Sequence, residues 1–508
     1  MLYRVGQIGR RLTGPAGLAA ILTLIFVSYL GTIGDWFVSD DFFYLRAAQT
    51  ATYPDYILNA FDFTELGPVP EFLYRPLYVS IFPVFYQLFG LDAWPYHLLG
   101  ILAHLTNAGL VWLISYRLSR RLAVAHIAAF VFGLHPSYAP AVAWITNNVA
   151  IFAMFFALSS LLLFLKYLDG GATRNRYYGA SFLALLIALL LHPESMTILA
   201  IMGLSFVLLY PKRPGELWSA RAWAPIVPHM VLGVFFFGLY LLVREDNFFQ
   251  LTSFRIGPHI YENYLHYSAL AGNPFGVGST INLDNWETSI QLENWRTIVP
   301  IIGVLLISVY LLFTKRSHSK TLAVLWFYLA LLPLSTWLAG AQPRKLYVAG
   351  PAFALMVALT AVSFWDWAAT RRPVDGYKTP VLVLLPLIAV GVFGFALSVQ
   401  TSQMIDPPHM ARATLTGLSG ESYQEMVNQV RQTYPSLPEG SRLDLVGRAV
   451  PILFGALDPR MAAAVRLYYG EIEVVGAKTL EGLPPLPGHL HRSNFVVVFE
   501  CPPLCPGQ

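Results

Sequence analysis

The chain has 508 residues, of which 56% are hydrophobic and 12% charged. That is half the charge of an average soluble domain, about 25%; with a mean hydropathy of +0.54 it excludes a purely soluble protein and indicates a polytopic membrane protein. The formal net charge of +4 carries no nucleic-acid signature, and two cysteines, Cys501 and Cys505, exclude a disulfide framework while leaving one local bridge open.

The first residues, M-L-Y-R-V-G-Q-I-G-R-R-L, are basic and precede an apolar run at 15–34 without a small-x-small cleavage site. They are expected to begin a retained first span rather than a removed signal peptide. Further apolar runs follow at 95–116, 122–139, 142–165, 177–192, 195–211, 223–243, 297–314, 321–340, 346–366 and 379–400. The expected architecture is therefore an α-helical membrane protein of about eleven transmembrane helices. A twelfth run, 74–91, contains Pro76, Pro83 and Gln87 and has no basic flank. It is expected to lie in the interface as a juxtamembrane helix. Only then do all six basic clusters, from Arg4/Arg10/Arg11 and Arg117/Arg120/Arg121 to Arg371/Arg372/Lys378, face the cytoplasm. That orientation sets the N-terminus inside and the C-terminus outside. No N-x-S/T sequon is present, which favours a bacterial inner membrane.

Residues 1–400 are thus expected to form the transmembrane part, with a first outer loop of juxtamembrane helices at 35–94 and a long outer loop at 244–296. In 401–508 the apolar runs shorten and charge returns. S-Y-Q-E-M-V-N-Q-V-R (422–431) and P-R-M-A-A-A-V-R-L-Y-Y (459–469) read as helices. R-L-D-L-V (442–446), E-I-E-V-V (471–475) and N-F-V-V-V-F-E (494–500) read as strands. A small extracytoplasmic α/β domain of about a hundred residues is expected there.

The orientation gathers the unusual polar residues on the outer face. Asp40 and Asp41, in V-S-D-D-F-F-Y-L, sit at the lip of the first span. Ser39 or Asp40 suits the cap of a helix through F-F-Y-L-R-A-A-Q, yet a cap leaves the second acid unexplained. A carboxylate there can also accept a proton from a hydroxyl nucleophile or ligate a metal. Arg75, in Y-R-P-L, can snorkel to headgroups or hold a phosphate, and Pro76 suits a first helical turn. His135-Pro136 and His192-Pro193-Glu194 each end one span and begin the next; the proline marks a boundary, but an acid such as Glu194 at membrane depth is costly unless paired or wet. The two histidines, far apart in sequence, could join the acids around a divalent metal. Arg344 and Lys345, in R-K-L-Y, form a basic pair on the face where positive charge is disfavoured, and suit either anionic headgroups or a lipid phosphate. The loop 244–296 is polar and aromatic, and a loop of that length is more often functional than not.

The order of these motifs resembles the GT-C superfamily of integral-membrane glycosyltransferases. S-D-D-F is followed by Y-R-P-L-Y-V-S-I-F-P-V-F-Y-Q-L-F-G, W-P-Y-H-L-L-G-I-L-A-H, F-G-L-H-P-S-Y-A-P-A-V-A-W-I-T-N-N-V-A and R-K-L-Y-V-A-G-P-A-F-A. The similarity is to the O-mannosyltransferase branch with transmembrane and tetratricopeptide segments, over roughly residues 30–210 and 335–365. It implies an inverting transferase that takes a sugar from a polyprenyl-phosphate-linked donor, with Asp40 or Asp41 as base toward an acceptor hydroxyl. It further implies that Arg344, Lys345 and Arg75 hold the donor phosphate, and that His135, Asn147, His192, Glu194 and Tyr347 line the substrate pocket. The acceptor class, protein, lipid or polysaccharide, stays open. The chain departs from the branch at Pro140, where an acid is usual, at His192-Pro193-Glu194, where Lys-Glu is common, and at R-K-L-Y for R-Y-L-Y. Residues 401–508 lack the 34-residue repeat pattern.

Two other classes compete. A transporter or flippase of lipid-linked glycans would show inverted repeats and midplane charges, whereas no repeat is found here and the charges gather at one face. A non-catalytic scaffold presenting the outer domain would have no use for Asp40-Asp41, Glu194 and Arg344 together.

Overall fold

The structure is a computed structural model. It describes residues 2–62, 74–210, 220–244, 256–272, 279–281, 288–290, 295–314, 317–337, 340–370, 420–447, 450–453, 456–479, 482–483 and 494–499. The apolar run 379–400 and both cysteines lie outside the described residues.

Helices dominate as far as residue 370. In chain order they are α1 (Leu2–Ser28), α2 (Asp41–Gln49), α3 (Asp55–Phe61), α4 (Pro76–Phe89), α5 (Trp94–Ser119), α6 (Leu122–Leu134), α7 (Ala139–Ala143), α8 (Asn148–Leu168), α9 (Arg174–Leu191) and α10 (Thr197–Leu209). Then come α11 (Ala220–Trp223), α12 (Val227–Arg244), α13 (His259–Gly272), α14 (Trp295–Phe313), α15 (His318–Ser335) and α16 (Gly350–Thr370). Among the described residues three helices are long and apolar enough to cross a membrane: Trp94–Ser119, Ile145–Leu168 and Gly350–Trp367. A fourth span results if Leu122–Leu134 and Pro136–Ala143, bent by 50° at His135, count as one. This is fewer than the eleven expected. Shorter apolar stretches among the described residues are Gly14–Ser28, Pro76–Phe89, Pro193–Leu209, Val227–Tyr240 and Thr297–Phe313.

α4 begins on Pro76, as the ring's fixed φ favours. Its 14 residues reach about 21 Å, short of a hydrocarbon core of about 30 Å. The basic helix ends come together. Arg117 donates to Leu165 O and Asp169 Oδ1 at 2.6 and 2.7 Å, Arg121 pairs with Asp366, and Ser319 Oγ donates to Leu118 O at 2.6 Å. These contacts bring the ends of α5, α8 and α16 and the starts of α6 and α15 to one end of the bundle.

Residues 420–499 fold as a small α/β layer. Helix α17 (Gly420–Thr433) buries Tyr423, Met426, Val427 and Val430, a spacing that lines one helical face. Strand β3 (Arg442–Val446) is the centre of a three-stranded parallel sheet, flanked by β6 (Glu473–Ala477) and β7 (Asn494–Val498), with Arg442 facing Glu473 and Asn494 in register. Between β3 and β6 lie a short hairpin, β4 (Ile452–Leu453) with β5 (Ala456–Leu457), and helix α18 (Pro459–Tyr469). A further short hairpin pairs β1 (Ser279–Ile281) with β2 (Thr288–Ile290). The Asp458 carboxylate caps α18 by accepting from Arg460 N at 2.8 Å, and Gly470, at φ 72°, ends it. The sheet strands start two residues late at β6 relative to expectation; the helices and β3 stand where the pattern placed them.

The α/β layer packs on the first outer segment. Phe42 and Tyr423 rings lie 4.8 Å apart, Gln49 donates to Leu467 O at 3.0 Å, and Arg46 pairs with Glu471. Both rings are fully buried, and each contributes about 2–3 kcal/mol by leaving water. On its other side α2 sets Tyr44 against Tyr78 and Phe82 of α4, at 5.3 and 5.0 Å. Helix α2 is thus wedged between the bundle and the C-terminal layer.

Candidate functional site

The two adjacent acids have opposite surroundings. Ser39 takes a left-handed conformation, φ 54°, which costs a non-glycine residue about 1–3 kcal/mol and turns the chain between Val38 and α2. Asp41 is fully buried. Its Oδ2 accepts from Val38 N at 2.9 Å and its Oδ1 from Thr146 N at 2.8 Å. Burial pushes its carboxyl up to about 7, against the pull of those two amides. Asp40 has 36% of its side chain exposed, and its Oδ1 accepts from Arg460 Nε at 2.7 Å. Neither Ser39 nor Asp40 caps α2 through its side chain. The expected cap is therefore replaced: the carboxylate on the first helical residue, Asp41, reaches back to Val38 N.

A cationic group stands beside Asp40. Residues Pro343–Val348 form a 3₁₀ turn ahead of α16. The Arg344 guanidinium lies 4.5 Å over the Trp144 ring and donates to Gln342 Oε1 at 2.9 Å. Burial holds it below its ordinary value, and Asp40 and Glu194 are the anions that oppose this most. Lys345 pairs with Glu194; the two side chains are 17% and 14% exposed. Burial pulls the Lys345 ammonium down and Glu194 pulls it back up.

His192, Glu194 and Arg75 complete this group. His192 is 3% exposed and precedes the 3₁₀ turn Pro193–Met196, where proline cannot continue α9. Its Nδ1 lies 3.2 Å from Glu194 N, and its Nε2 lies 2.9 Å from Arg75 Nη2. Burial, then Arg75, Lys345 and Arg344, hold it well below the usual histidine range, so it is neutral. A neutral imidazole offers one acceptor nitrogen. It can therefore accept from Arg75 Nη2 at Nε2 or from Glu194 N at Nδ1, and the Arg75 contact is the shorter of the two. His192 and Glu194 also line a small cavity of ≈ 10 Å³, with Met154, Ile198, Trp326 and Val348 among its walls.

The other residues expected in the pocket stand apart from that cavity. His135 Nδ1 accepts from Ser137 N at 3.3 Å, its Nε2 donates to Ala271 O at 2.9 Å, and its ring stacks 4.7 Å from Tyr138. The Tyr347 hydroxyl donates to His104 Nδ1 and accepts from Asn107 Nδ2, both at 2.9 Å; His104 Nε2 donates to Gly133 O at 3.0 Å. These are core bonds that tie α5, α6 and the 343–348 turn together. Asn147 is the half-buried residue before α8, with no side-chain capping bond. From the long loop, Asn263 donates to Ser335 O and Trp337 O at 2.8 Å, and Tyr267 lies near Glu194 and Arg344. Among the described residues no three His, Cys, Asp or Glu side chains stand together as a metal-binding group.

Sequence reasoning missed Arg460, Asp458, Trp144 and the partners of Tyr347, His104 and Asn107. Trp144 and His104 lie inside quoted motifs. Nothing local marks Arg460, whose partner Asp40 is 420 positions away.

No family model matches the chain. Curated relatives match part of it. The protein O-mannosyl-transferase Tmtc1 of Drosophila melanogaster is 28% identical over 201 residues, 38% of this chain and 23% of that protein. TMTC2 of Mus musculus is 32% identical over 106 residues, 21% of this chain and 13% of that protein. A Caenorhabditis elegans protein O-mannosyl-transferase is 28% identical over 196 residues, 36% of this chain and 27% of that protein. The chain is similar to the protein O-mannosyl-transferases. It spans less than a third of the length of these relatives. Among solved structures, ArnT from Cupriavidus metallidurans bound to undecaprenyl phosphate superposes with a TM-score of 0.50 at 16% identity, over 91% of this chain and 86% of that one. The apo oligosaccharyltransferase of Archaeoglobus fulgidus superposes with a TM-score of 0.50 at 13% identity, over 90% of this chain and 64% of that one. The chain shares the fold of these two structures, and among its described residues three helices, or four with the bent pair, are long and apolar enough to cross a membrane.

Proposed function

We propose that the chain transfers a sugar from a polyprenyl-phosphate donor to an acceptor hydroxyl, with inversion, at the outer face of the membrane. The observation that carries this reading is the convergence of Arg75, Arg344 and Lys345 on His192. That cationic group borders Asp40. Its guanidinium and ammonium groups suit a phosphate. The ArnT structure contains undecaprenyl phosphate, and the relatives are named for mannose transfer, so a polyprenyl-phosphate hexose, mannose first, is the donor class proposed here.

Of the two acids Asp40 is assigned as base. It keeps an exposed side chain, whereas Asp41 spends both oxygens on backbone amides. In the proposed step the acceptor oxygen gives its proton to Asp40 and bonds to the anomeric carbon. The bond from that carbon to the phosphate oxygen breaks, and its electron pair leaves on the phosphate. Arg344 and Arg75 neutralise that charge, the effect expected to lower the barrier most. Glu194 holds Lys345 in place beside them. The proposed topology keeps the eleven spans, the cytoplasmic N-terminus and residues 401–508 as an outer domain.

The test is sugar transfer in purified membranes from a panel of polyprenyl-phosphate sugars, with donor binding measured in parallel. Asp40→Asn should abolish transfer and spare binding. Transfer by Asp40→Asn at the wild-type rate would overturn the assignment.

A further inference from the structure

The C-terminal layer reaches into the site through one residue. Helix α18 lies beside α2, with Arg460 at Asp40 and, a turn or two on, Leu467 O at Gln49. The two helices therefore run the same way, and both N-termini meet at Asp40. Arg460 is itself restrained. Its Nη1 lies 3.3 Å from Asp458 Oδ2, its amide donates to Asp458 Oδ1, and its guanidinium carbon stands 5.9 Å from the Phe43 ring. Its side chain is 9% exposed. The contact with Asp40 uses Nε and Oδ1, and the Asp40 side chain stays 36% exposed.

A carboxylate on an exposed helix start has free χ rotation, and a base must be held to within a fraction of an ångström of its proton. A guanidinium fixed by its own carboxylate supplies that restraint. We propose that Arg460, clamped by Asp458, is a positioning residue for Asp40, so that the membrane-embedded site is completed by the C-terminal layer. The proposal rests on the reading of Asp40 as base.

The test uses the full chain in membranes with a polyprenyl-phosphate mannose donor. Arg460→Gln should lower kcat about 10- to 100-fold, the range a misplaced group produces, with the donor KM unchanged. Arg460→Lys should restore part of kcat, and Asp458→Asn, which leaves Arg460 in place but unclamped, should show a smaller loss of the same kind. Arg46→Gln breaks the pairing with Glu471 without touching Asp40 and should keep wild-type kcat. Three results would overturn the proposal: an unchanged kcat in Arg460→Gln, a raised kcat (a latch over the acid), or an equal loss in Arg46→Gln (docking alone). Full activity of Asp40→Asn is a separate outcome; it removes the base reading itself, whatever Arg460 does.

Discussion

Asp41 Oδ1 accepts the amide of Thr146 at 2.8 Å, joining the start of α2 to the turn before α8 across 105 residues. The same carboxylate holds Val38 N. Asp41→Ala strips both buried amides of their acceptor, at about 1–3 kcal/mol each. The variant should lose roughly 2–6 kcal/mol of stability, read as a lower melting temperature in detergent, while Asp40→Ala melts like wild type.

The pH dependence of stability follows from the same group. Burial raises the Asp41 carboxyl to about 7 in the folded chain, above its unfolded value of about 4. The folded state binds this proton more tightly, so the contribution is full below about pH 4 and is lost as pH rises through 7. Melting temperatures of wild type and Asp41→Asn should lie closest at acid pH, where both side chains are neutral, and diverge as pH rises through 7 and the wild type loses stability.

Arg344 and Lys345 are neighbours with different expected phenotypes. Lys345 is neutralised by Glu194 in a half-dry setting, so Lys345→Met leaves a buried carboxylate unpaired and should cost about 3–5 kcal/mol of stability. Arg344 bonds only Gln342 and the Trp144 face among the described residues. Arg344→Gln should melt near wild type and lower transfer about 100- to 1,000-fold. Thermal melting beside initial rates separates the two.

Tyr347→Phe tests whether that hydroxyl belongs to the pocket or the core. Its removal leaves the buried Asn107 Nδ2 and His104 Nδ1 short of a partner. About 1–3 kcal/mol of stability should go, with the donor KM unchanged. A raised KM at wild-type stability would return Tyr347 to the pocket.

Gly420 sits where a Cβ would come within 2.7 Å of Trp36 O and 3.2 Å of Phe37 O. Both are backbone atoms, so Gly420→Ala must push α17 away from the first outer segment. Limited proteolysis should cut the variant between the bundle and the C-terminal layer sooner than wild type.

Much of this was legible where a pattern is local. The V-S-D-D-F-F-Y-L segment, the Pro76 start, and α17, α18 and β3 follow from helix and strand periodicity that neighbours in sequence carry. The R-K-L-Y and H-P-E motifs were readable as polar residues out of place in an apolar chain, and they do converge. Long-range geometry decided the rest. Which acid faces outward depends on the φ of Ser39 and on an amide 105 positions away. Tyr347 reads as a pocket residue from its motif, yet His104 and Asn107, about one turn apart on α5, claim its hydroxyl. A hydropathy run marks apolar length alone and does not register the breaks at His135 and His192.

The pairing of Asp40 with Arg460 also orders events during synthesis. The acid emerges from the ribosome 420 residues ahead of its partner, so nearly the whole membrane-embedded part is made while Asp40 waits without it. A chain that stopped short of Arg460 would keep Asp40 and lose this partner.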